Sequence, residues 1–456
     1  MSTIAAIATP QGIGGIGVIR ISGVEAFEIA DKIFEPFIGE KGNCLKKLQG
    51  YCAKYGKIIC KGEAIDDAIA LVFRAPHSYT GEDVVEISCH GGNYITKKVL
   101  RAILDSGAVL AGSGEFTKRA FLNGKMDLSQ AEAVMDLISA RSERANKIAF
   151  SMREGSSSKK INNIKDEITD IMAALSVWAD YPEDDIPQID NEMLKIKICK
   201  IIKNLESMIL NYDNFKSLKN GVKVVIVGRP NVGKSTLMNY LSGEKRSIVT
   251  NIPGTTRDSI EQTVMIGDIP INLVDTAGMR DTEDLVEKIG VEIAEKQMDE
   301  AEIILVVLDG SAPLLEYDEK ILKNSNVKNR IIVINKCDEN QMVTPENLST
   351  YKSKTVEISA LTGKGISKLK DEIEHLIGIS DLEPSDVVIS SERQLVEIKD
   401  AVNLLKTVKK ELDHGLTLDA ITVLLQDVLG IFMEFTGENV SETIINKVFS
   451  KFCVGK

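Results

Sequence analysis

The sequence lacks several features that define whole classes of protein. No apolar run in its 456 residues approaches the roughly 20 residues that a membrane-spanning helix needs, and its first residues show neither the basic start nor the apolar core of a signal peptide. Its seven cysteines are scattered without a C-x-x-C pair, which predicts reduced thiols and neither a disulfide framework nor a zinc site. We therefore expect a cytoplasmic globular protein without membrane association, built of about two to four domains.

The sequence also has fewer basic than acidic residues. The formal net charge is −12 and the pI is about 5.1, which argues against a surface that coats nucleic acid. An RNA partner would need a local basic patch or the surface of a second protein.

The strongest pattern is a phosphate loop at residues 228–235. The segment Gly-Arg-Pro-Asn-Val-Gly-Lys-Ser has G-x-x-x-x-G-K-[ST] spacing. It follows a β-branched run at 224–227 that predicts a buried strand, and it precedes a helical pattern at 236–241. Glycine permits a tight loop whose backbone N–H groups meet phosphate oxygens at a helix N-terminus. We expect Lys234 on the outer phosphates and Ser235 on Mg²⁺.

Three later patterns, each after an apolar run, predict that the base is guanine. The segment 275–278, Asp-Thr-Ala-Gly, is expected to hold Mg²⁺ through water and to sense the γ-phosphate. The segment 335–338, Asn-Lys-Cys-Asp, supplies a carboxylate for two guanine N–H groups that adenine lacks. The segment 359–361 fits the loop that covers the base. The predicted GTP contacts are Asn231, Val232, Gly233, Lys234, Ser235, Thr236, Thr250, Asn251, Ile252, Pro253, Gly254, Thr255, Thr256, Asp275, Thr276, Ala277, Gly278, Asn335, Lys336, Asp338, Ser359, Ala360 and Leu361.

The segment 250–258 lies between the phosphate loop and the second pattern, where a first switch is expected. Thr256 is predicted to place its hydroxyl on Mg²⁺ and its N–H on the γ-phosphate. Met279 stands where Ras-like enzymes carry a glutamine that orients water. Because a thioether cannot orient water, two possibilities remain. Either hydrolysis is slow, or another group positions the water and another cation replaces an arginine finger.

The chain order predicts a multidomain protein with α/β and all-α parts, in which a Ras-like P-loop domain is inserted into a helical domain. The predicted segments are an N-terminal α/β domain at 1–118, helical parts at 119–220 and 379–456, and the nucleotide domain at 221–378. Strands are expected at 4–8, 18–22, 68–73 and 84–88, and helices at 24–34, 94–104, 131–152, 161–179, 193–210, 390–412, 417–433 and 440–452.

Three polar or glycine-rich stretches of the N-terminal part leave their role open. Residues 12–17 match G-x-G-x-x-G, but a strand pattern follows where a dinucleotide site requires a helix. We therefore expect a glycine-rich turn between strands. The stretches 78–92 and 112–128 have the composition of ligand-binding loops, although composition alone favours an ordinary capped helix start.

Family motifs occur along the whole chain, at residues 79–83, 90–92, 114–123, 228–235, 254–258, 286–290 and 453–456. With them the sequence resembles the MnmE (TrmE) family of tRNA modification GTPases. The resemblance implies hydrolysis activated by K⁺ when two nucleotide domains pair. It implies K⁺ ligation by Asn231, Thr250, Ile252 and Thr255, and a water-orienting role for Glu287. From composition alone Asn231 could be a loop cap, and Asp281, Glu283 or Asp284 would serve as well as Glu287.

The resemblance also implies a constitutive homodimer whose N-terminal domain binds a tetrahydrofolate derivative, in the 5,10-methylene or 5-formyl form. The matching folate contacts are Arg20, Glu82, Lys125 and Lys456. Cys453 then lies close to the modification site. Its place fourth from the end is also that of a prenylation cysteine, although Gly455 and Lys456 fit that signal poorly, and a frayed tail is the third interpretation.

By the same resemblance the protein would act on tRNA together with the FAD-dependent partner MnmG (GidA), in a heterotetramer-type complex. Together they would add an aminomethyl or carboxymethylaminomethyl group to C5 of the wobble uridine, and the flavin would belong to the partner. The alternative is a GTP-regulated assembly or scaffolding switch of the ribosome-biogenesis type, without modification chemistry. Such a switch would not require the folate contacts or Cys453.

Overall fold

The computed structural model describes residues 1–39, 42–180, 191–243, 261–275, 297–325, 329–377, 388–414 and 417–456. One compact unit contains Met1–Met135, Met152–Ile202 and Val396–Lys456, and the other contains Asp136–Ser151 and Lys203–Leu395. Among the described helices, none combines the length and the apolar character that crossing a bilayer requires.

The N-terminal part forms a seven-stranded sheet with the order β3-β4-β5-β6-β2-β1-β7. Its strands are β1 (Ile4–Ile7), β2 (Ile16–Ser22), β3 (Phe34–Pro36), β4 (Cys52–Cys60), β5 (Glu63–Phe73), β6 (Val84–His90) and β7 (Val109–Leu110). Helices α1 (Ala26–Ile33) and α2 (Asn93–Asp105) share one core with Ile19 and Ile21. Because side chains alternate along a strand, Arg20 and Ser22 lie on the opposite face.

The predicted strands and helices of this part are confirmed. Residues 12–15 lie in the connection between β1 and β2, while Ile16 and Gly17 already belong to β2. Strand β4 was not predicted, because lysines and Gly56 interrupt its apolar alternation. A Cβ at Gly56 would lie 2.3 Å from the backbone oxygen of Glu35, so the close approach of β3 explains the glycine. The stretch 112–128 contains helix α3 (Glu115–Leu122), which follows Gly114 without a side-chain capping hydrogen bond.

The remaining described helices outside the nucleotide domain are α4 (Leu128–Ser139), α5 (Glu143–Arg153), α6 (Ser156–Asp180), α7 (Asn191–Asn220), α11 (Glu392–His414), α12 (Leu418–Thr436) and α13 (Glu442–Phe449). The prediction of one continuous helix over 131–152 is wrong, since α4 and α5 are separate. The Ser142 hydroxyl accepts a hydrogen bond from the Ala145 N–H at 3.2 Å, which is how serine starts a new helix. Helix α7 extends ten residues beyond its predicted end at 210, to Asn220.

The nucleotide domain contains a six-stranded sheet with the order β13-β12-β11-β8-β10-β9. Its strands are β8 (Val222–Val227), β9 (Glu261–Ile266), β10 (Ile269–Asp275), β11 (Ile303–Asp309), β12 (Arg330–Asn335) and β13 (Lys354–Glu357), and its described helices are α8 (Lys234–Gly243), α9 (Glu316–Asn324), α10 (Ile366–Ile377) and a 3₁₀ helix at Pro345–Tyr351. All neighbouring strands are parallel except β9 and β10.

Parallel pairing brings the carboxyl ends of β8, β10, β11 and β12 to one edge of the sheet, where ligands of such sheets bind. The phosphate loop, Asp275, Asp309 and Asn335 therefore lie along this edge. The predicted fold class, with an α/β N-terminal domain, helices and a P-loop nucleotide domain, is confirmed.

Candidate functional site

The phosphate loop fits closely between the ends of two strands. A Cβ at Gly228 would lie 2.3 Å from the backbone oxygen of Val307, and one at Gly233 would lie 2.2 Å from Nδ2 of Asn335. The two glycines have φ angles of +153° and +97°, which side chains rarely permit. Both glycines of the sequence motif are therefore required by packing as well as by loop shape.

Lys234 is buried against its own loop. Its Nζ donates hydrogen bonds to the backbone oxygens of Gly228, at 2.7 Å, and Arg229, at 2.8 Å. Ser235 and Thr236 are exposed in the first turn of α8, and Asn231 is exposed on the loop with a left-handed φ of 64°. Asn231, Ser235 and Thr236 thus face solvent, whereas Val232 is buried and Gly233 is half-buried. Lys234 would exchange its carbonyl partners for phosphate oxygens.

The side chain of Asn335 joins two loops of the site. It is 3% exposed, its Nδ2 donates to the Val232 oxygen at 2.8 Å, and its Oδ1 accepts from the Ala360 N–H at 2.9 Å. The amide thereby fixes the distance between the phosphate loop and the predicted guanine loop, in which Leu361 is exposed.

Two carboxylates near Asn335 are held in the ionised form. Burial alone would raise the pKa of Asp309, but hydrogen bonds from Lys336 and Ser311 lower it overall. The Nζ of Lys336 lies 2.6 Å from Asp309 Oδ2. A hydrogen bond from Ser359 lowers the pKa of Asp338, which keeps the charge that two guanine N–H groups would need. Asp309 was not predicted, although its place at the end of a buried strand is a usable signal.

The remaining predicted contacts with the phosphates and metals lie outside the described residues. For Asp275 only the backbone is described, at the end of β10. The other predictions concern Thr250, Asn251, Ile252, Pro253, Gly254, Thr255, Thr256, Thr276, Ala277, Gly278 and Glu287, and they stay predictions.

A second polar site lies on the other face of the N-terminal sheet, opposite the core that contains α1 and α2. Arg20 contacts Glu86 on the neighbouring strand, with Nη2 and Nε at 2.7 and 2.8 Å from Oε1. Its guanidinium carbon also lies 5.5 Å from the ring centroids of both Tyr79 and Phe116. The sequence did not indicate Glu86, although a charge within an apolar strand, at the register position opposite Arg20, is a signal for such a pair.

Glu82 is held by a buried arginine. Arg119 Nη1 lies 3.1 Å from both carboxylate oxygens of Glu82, and its Nη2 lies 2.8 Å from Glu115 Oε1. The hydroxyl of Ser22 donates to Glu82 at 2.7 Å. The side chain of Arg119 is 4% exposed, so Glu82 has a fixed orientation. Sequence reasoning missed Arg119 because nothing in its helix indicates which loop it contacts.

The last residues pack against the same domain. Ser113 and Val454 form an antiparallel bridge, and the Gly114 N–H donates to the Cys453 oxygen at 3.3 Å. A Cβ at Gly455 would lie 2.4 Å from the Ile7 oxygen. The tail is therefore packed rather than frayed, while the Cys453 side chain is exposed.

Three of the predicted folate contacts lie in one neighbourhood. Burial lowers the pKa of Lys456, and the nearby charge of Arg20 lowers it further. Arg20 lies against the Tyr79 ring, and Ser22, two residues further along β2, donates to Glu82. Lys125 lies on the adjacent loop, where its Nζ donates to the Pro76 oxygen at 3.0 Å.

Comparison with known proteins identifies relatives over the full length. The family model described as "GTP-binding protein TrmE N-terminus" matches residues 3–125, and the one described as "MnmE helical domain" matches 128–453. A tRNA modification GTPase MnmE of Clostridioides difficile is 42% identical and covers 100% of this chain and 99% of its own. A protein of the same name from Acetivibrio thermocellus is 41% identical, with the same coverage. Among solved structures, the G domain of the T. maritima FeoB iron transporter is 29% identical over 34% of this chain and 98% of its own, with a TM-score of 0.27.

Asn335→Ala is expected to weaken nucleotide binding about 30-fold. The change removes both hydrogen bonds that join the loops, at about 1 kcal/mol each, and it leaves a cavity beside Gly233. Titration of the full chain with a fluorescent GDP analogue measures the effect. Asn347→Ala is the matched control, since Asn347 accepts the Thr344 N–H on an exposed turn of the same domain. A loss below threefold for Asn335→Ala would contradict the bridging role.

Proposed function

Because this chain belongs to the MnmE family of tRNA modification GTPases, we propose that it modifies C5 of the wobble uridine of certain tRNAs, together with an FAD-dependent partner of the MnmG (GidA) type. The chain is a GTP hydrolase that acts in tRNA modification. The observation that carries the specific proposal is the packing of the C-terminal tail, with Cys453 and Lys456, against the N-terminal site that contains Arg20.

The nucleotide domain binds GTP with Mg²⁺. Lys234 and the loop N–H groups hold the phosphates, Asp338 accepts the guanine N–H groups, and Ser235 with Thr256 would coordinate Mg²⁺. Asn335 contributes by fixing the spacing between these two halves of the site. GTP hydrolysis would drive association and release of two nucleotide domains in the homodimer.

Hydrolysis in this site would depend on K⁺. Met279 cannot orient the attacking water, a role that falls to Glu287. A monovalent cation against the phosphates would offset the negative charge that develops during transfer. Asn231 supports this proposal, since its exposed amide stands on the loop beside the phosphate position. The oxygens of Thr250, Ile252 and Thr255 would complete the K⁺ ligands.

The N-terminal site has the chemistry that a tetrahydrofolate requires. A reduced pterin ring presents N–H donors that suit the Glu82 carboxylate, and its glutamate tail carries carboxylates that suit Arg20, Lys125 or Lys456. The Tyr79 and Phe116 rings provide apolar surface beside Arg20. The folate would supply the one-carbon unit when bound, while these residues orient it.

The tRNA and the partner would meet at this site. Cys453 is exposed beside Lys456 on the packed tail, and this exposure supports a role for its thiol in the proposed modification region. The partner's flavin would supply the redox chemistry. The net charge of −12 suits a complex in which the partner provides much of the RNA-binding surface.

A strain that lacks this protein is expected to lose the C5 modification at the wobble uridine. Mass spectrometry of tRNA nucleosides measures the loss, and a plasmid copy of the gene should restore the modification. Unchanged wobble uridines would reject the modification function and leave the alternative of a GTP-regulated assembly switch.

GTP turnover is expected to be at least roughly tenfold faster in K⁺ than in Na⁺ buffer. Asn231→Gly should abolish that difference, because glycine keeps the left-handed backbone and removes the ligand oxygen. Asn43→Gly is the matched control, since Asn43 also has a positive φ, of 49°, but lies in the N-terminal domain. In the same assay Glu287→Ala should lose turnover and retain nucleotide binding. Equal rates in the two salts would remove Asn231 from its role.

Glu82→Gln is expected to weaken binding of 5-formyltetrahydrofolate about tenfold or more, because it removes the charge that pairs with the pterin N–H donors. Calorimetry on the full chain measures the affinity. Glu63→Gln, at an exposed position of β5, should bind within twofold of the unaltered chain. Absence of binding by the unaltered chain would reject the folate proposal without affecting the GTPase assignment.

A further inference from the structure

We propose that Asp318 is a positioning residue for the phosphate loop and acts through Arg229. The inference concerns the nucleotide site alone and is independent of K⁺, folate and the partner. Arg229 occupies the second position of the loop, which the general motif leaves free. Asp318 lies in helix α9, outside every motif that the sequence displays.

Asp318 is a buried carboxylate, and its role as a helix cap uses only one of its two oxygens. Its side chain is 1% exposed. Oδ2 accepts the Leu315 N–H at 3.1 Å and so caps the start of α9. Oδ1 is buried and has no hydrogen-bond partner within the described part of the chain. Capping needs a single acceptor, which an asparagine would supply equally well. Burial of a charge is costly unless a cation lies nearby, so the capping role does not account for the carboxylate.

The cation beside Asp318 is the guanidinium of Arg229. Its Nε lies 3.5 Å from Asp318 Oδ2, and its side chain is 17% exposed. The backbone oxygen of Arg229 accepts a hydrogen bond from Lys234 at 2.8 Å. One residue thus connects a buried carboxylate on α9 with the lysine that contacts the phosphates.

This connection matters when Lys234 turns toward a phosphate. The lysine then gives up the carbonyls of Gly228 and Arg229, and the loop loses two of the hydrogen bonds that hold its shape. The ion pair between Arg229 and Asp318 does not involve the lysine, so it persists and keeps the loop in its binding conformation. A loop ordered in advance binds with a smaller loss of conformational entropy, and the difference appears mainly in the dissociation rate.

The test is the dissociation rate of a fluorescent GDP analogue from the full chain, measured by stopped flow. Asp318→Asn retains the acceptor for Leu315 and removes the charge, and we expect dissociation roughly five- to thirtyfold faster. Arg229→Gln should have a similar effect, and Arg229→Lys a smaller one because the cation remains. Glu372→Gln is the control. It breaks a pair with Lys354 of similar length, 3.6 Å, within the same domain, and it should stay within twofold.

The double variant Asp318→Asn with Arg229→Gln separates positioning from general stabilisation. If the two residues act as one pair, the double variant dissociates no faster than the faster single variant. If the fold-increases in dissociation rate of the two single variants multiply in the double variant, the proposal is overturned. An unchanged rate for Asp318→Asn accompanied by a lowered melting temperature would also overturn it, because a merely structural role does not alter nucleotide release. If Asp318→Asn does not fold, Arg229→Gln decides, and a rate within twofold of the unaltered chain overturns the proposal.

Discussion

The buried amide of Asn335 is the interaction on which the nucleotide site depends. Its two hydrogen bonds fix the phosphate loop and the guanine loop at one distance from each other. A nucleotide has a fixed length between base and phosphate, so a fixed distance between the two loops makes recognition of one end depend on recognition of the other. This arrangement explains why residue 233 is a glycine, because any side chain there would displace the Asn335 amide.

Charges in both sites are paired before any ligand arrives. Arg20 pairs with Glu86 and Arg119 pairs with Glu82 on the N-terminal sheet, while Lys336 pairs with Asp309 in the nucleotide domain. Pairing fixes the orientation of these side chains at partly buried positions. A ligand therefore exchanges one set of charge contacts for another rather than ordering mobile side chains.

Sequence patterns predicted those parts of the molecule whose structure depends on the spacing of residues along a short stretch of chain. The phosphate loop, Asp338 and the buried strands before them follow from spacing, because parallel strands bring their carboxyl ends together. The separation of α4 from α5 was missed, although Ser142 is a recognisable cap. The contacts of Arg119 with Glu82 and of Arg229 with Asp318 were beyond prediction, since each joins segments distant in the chain that only the tertiary fold brings together.

The bridge between Ser113 and Val454 has an entropic consequence for the N-terminal site. It closes a loop that contains most of the chain, and the entropy lost on closing a loop grows with its length. Local strand pairing forms the face that holds Arg20 and Glu82 at a smaller entropy cost, because the paired segments are close in sequence. The contact that brings Lys456 to this face carries the larger cost of closing the long loop. Completion of the N-terminal site therefore depends on the chain that lies between residues 113 and 454.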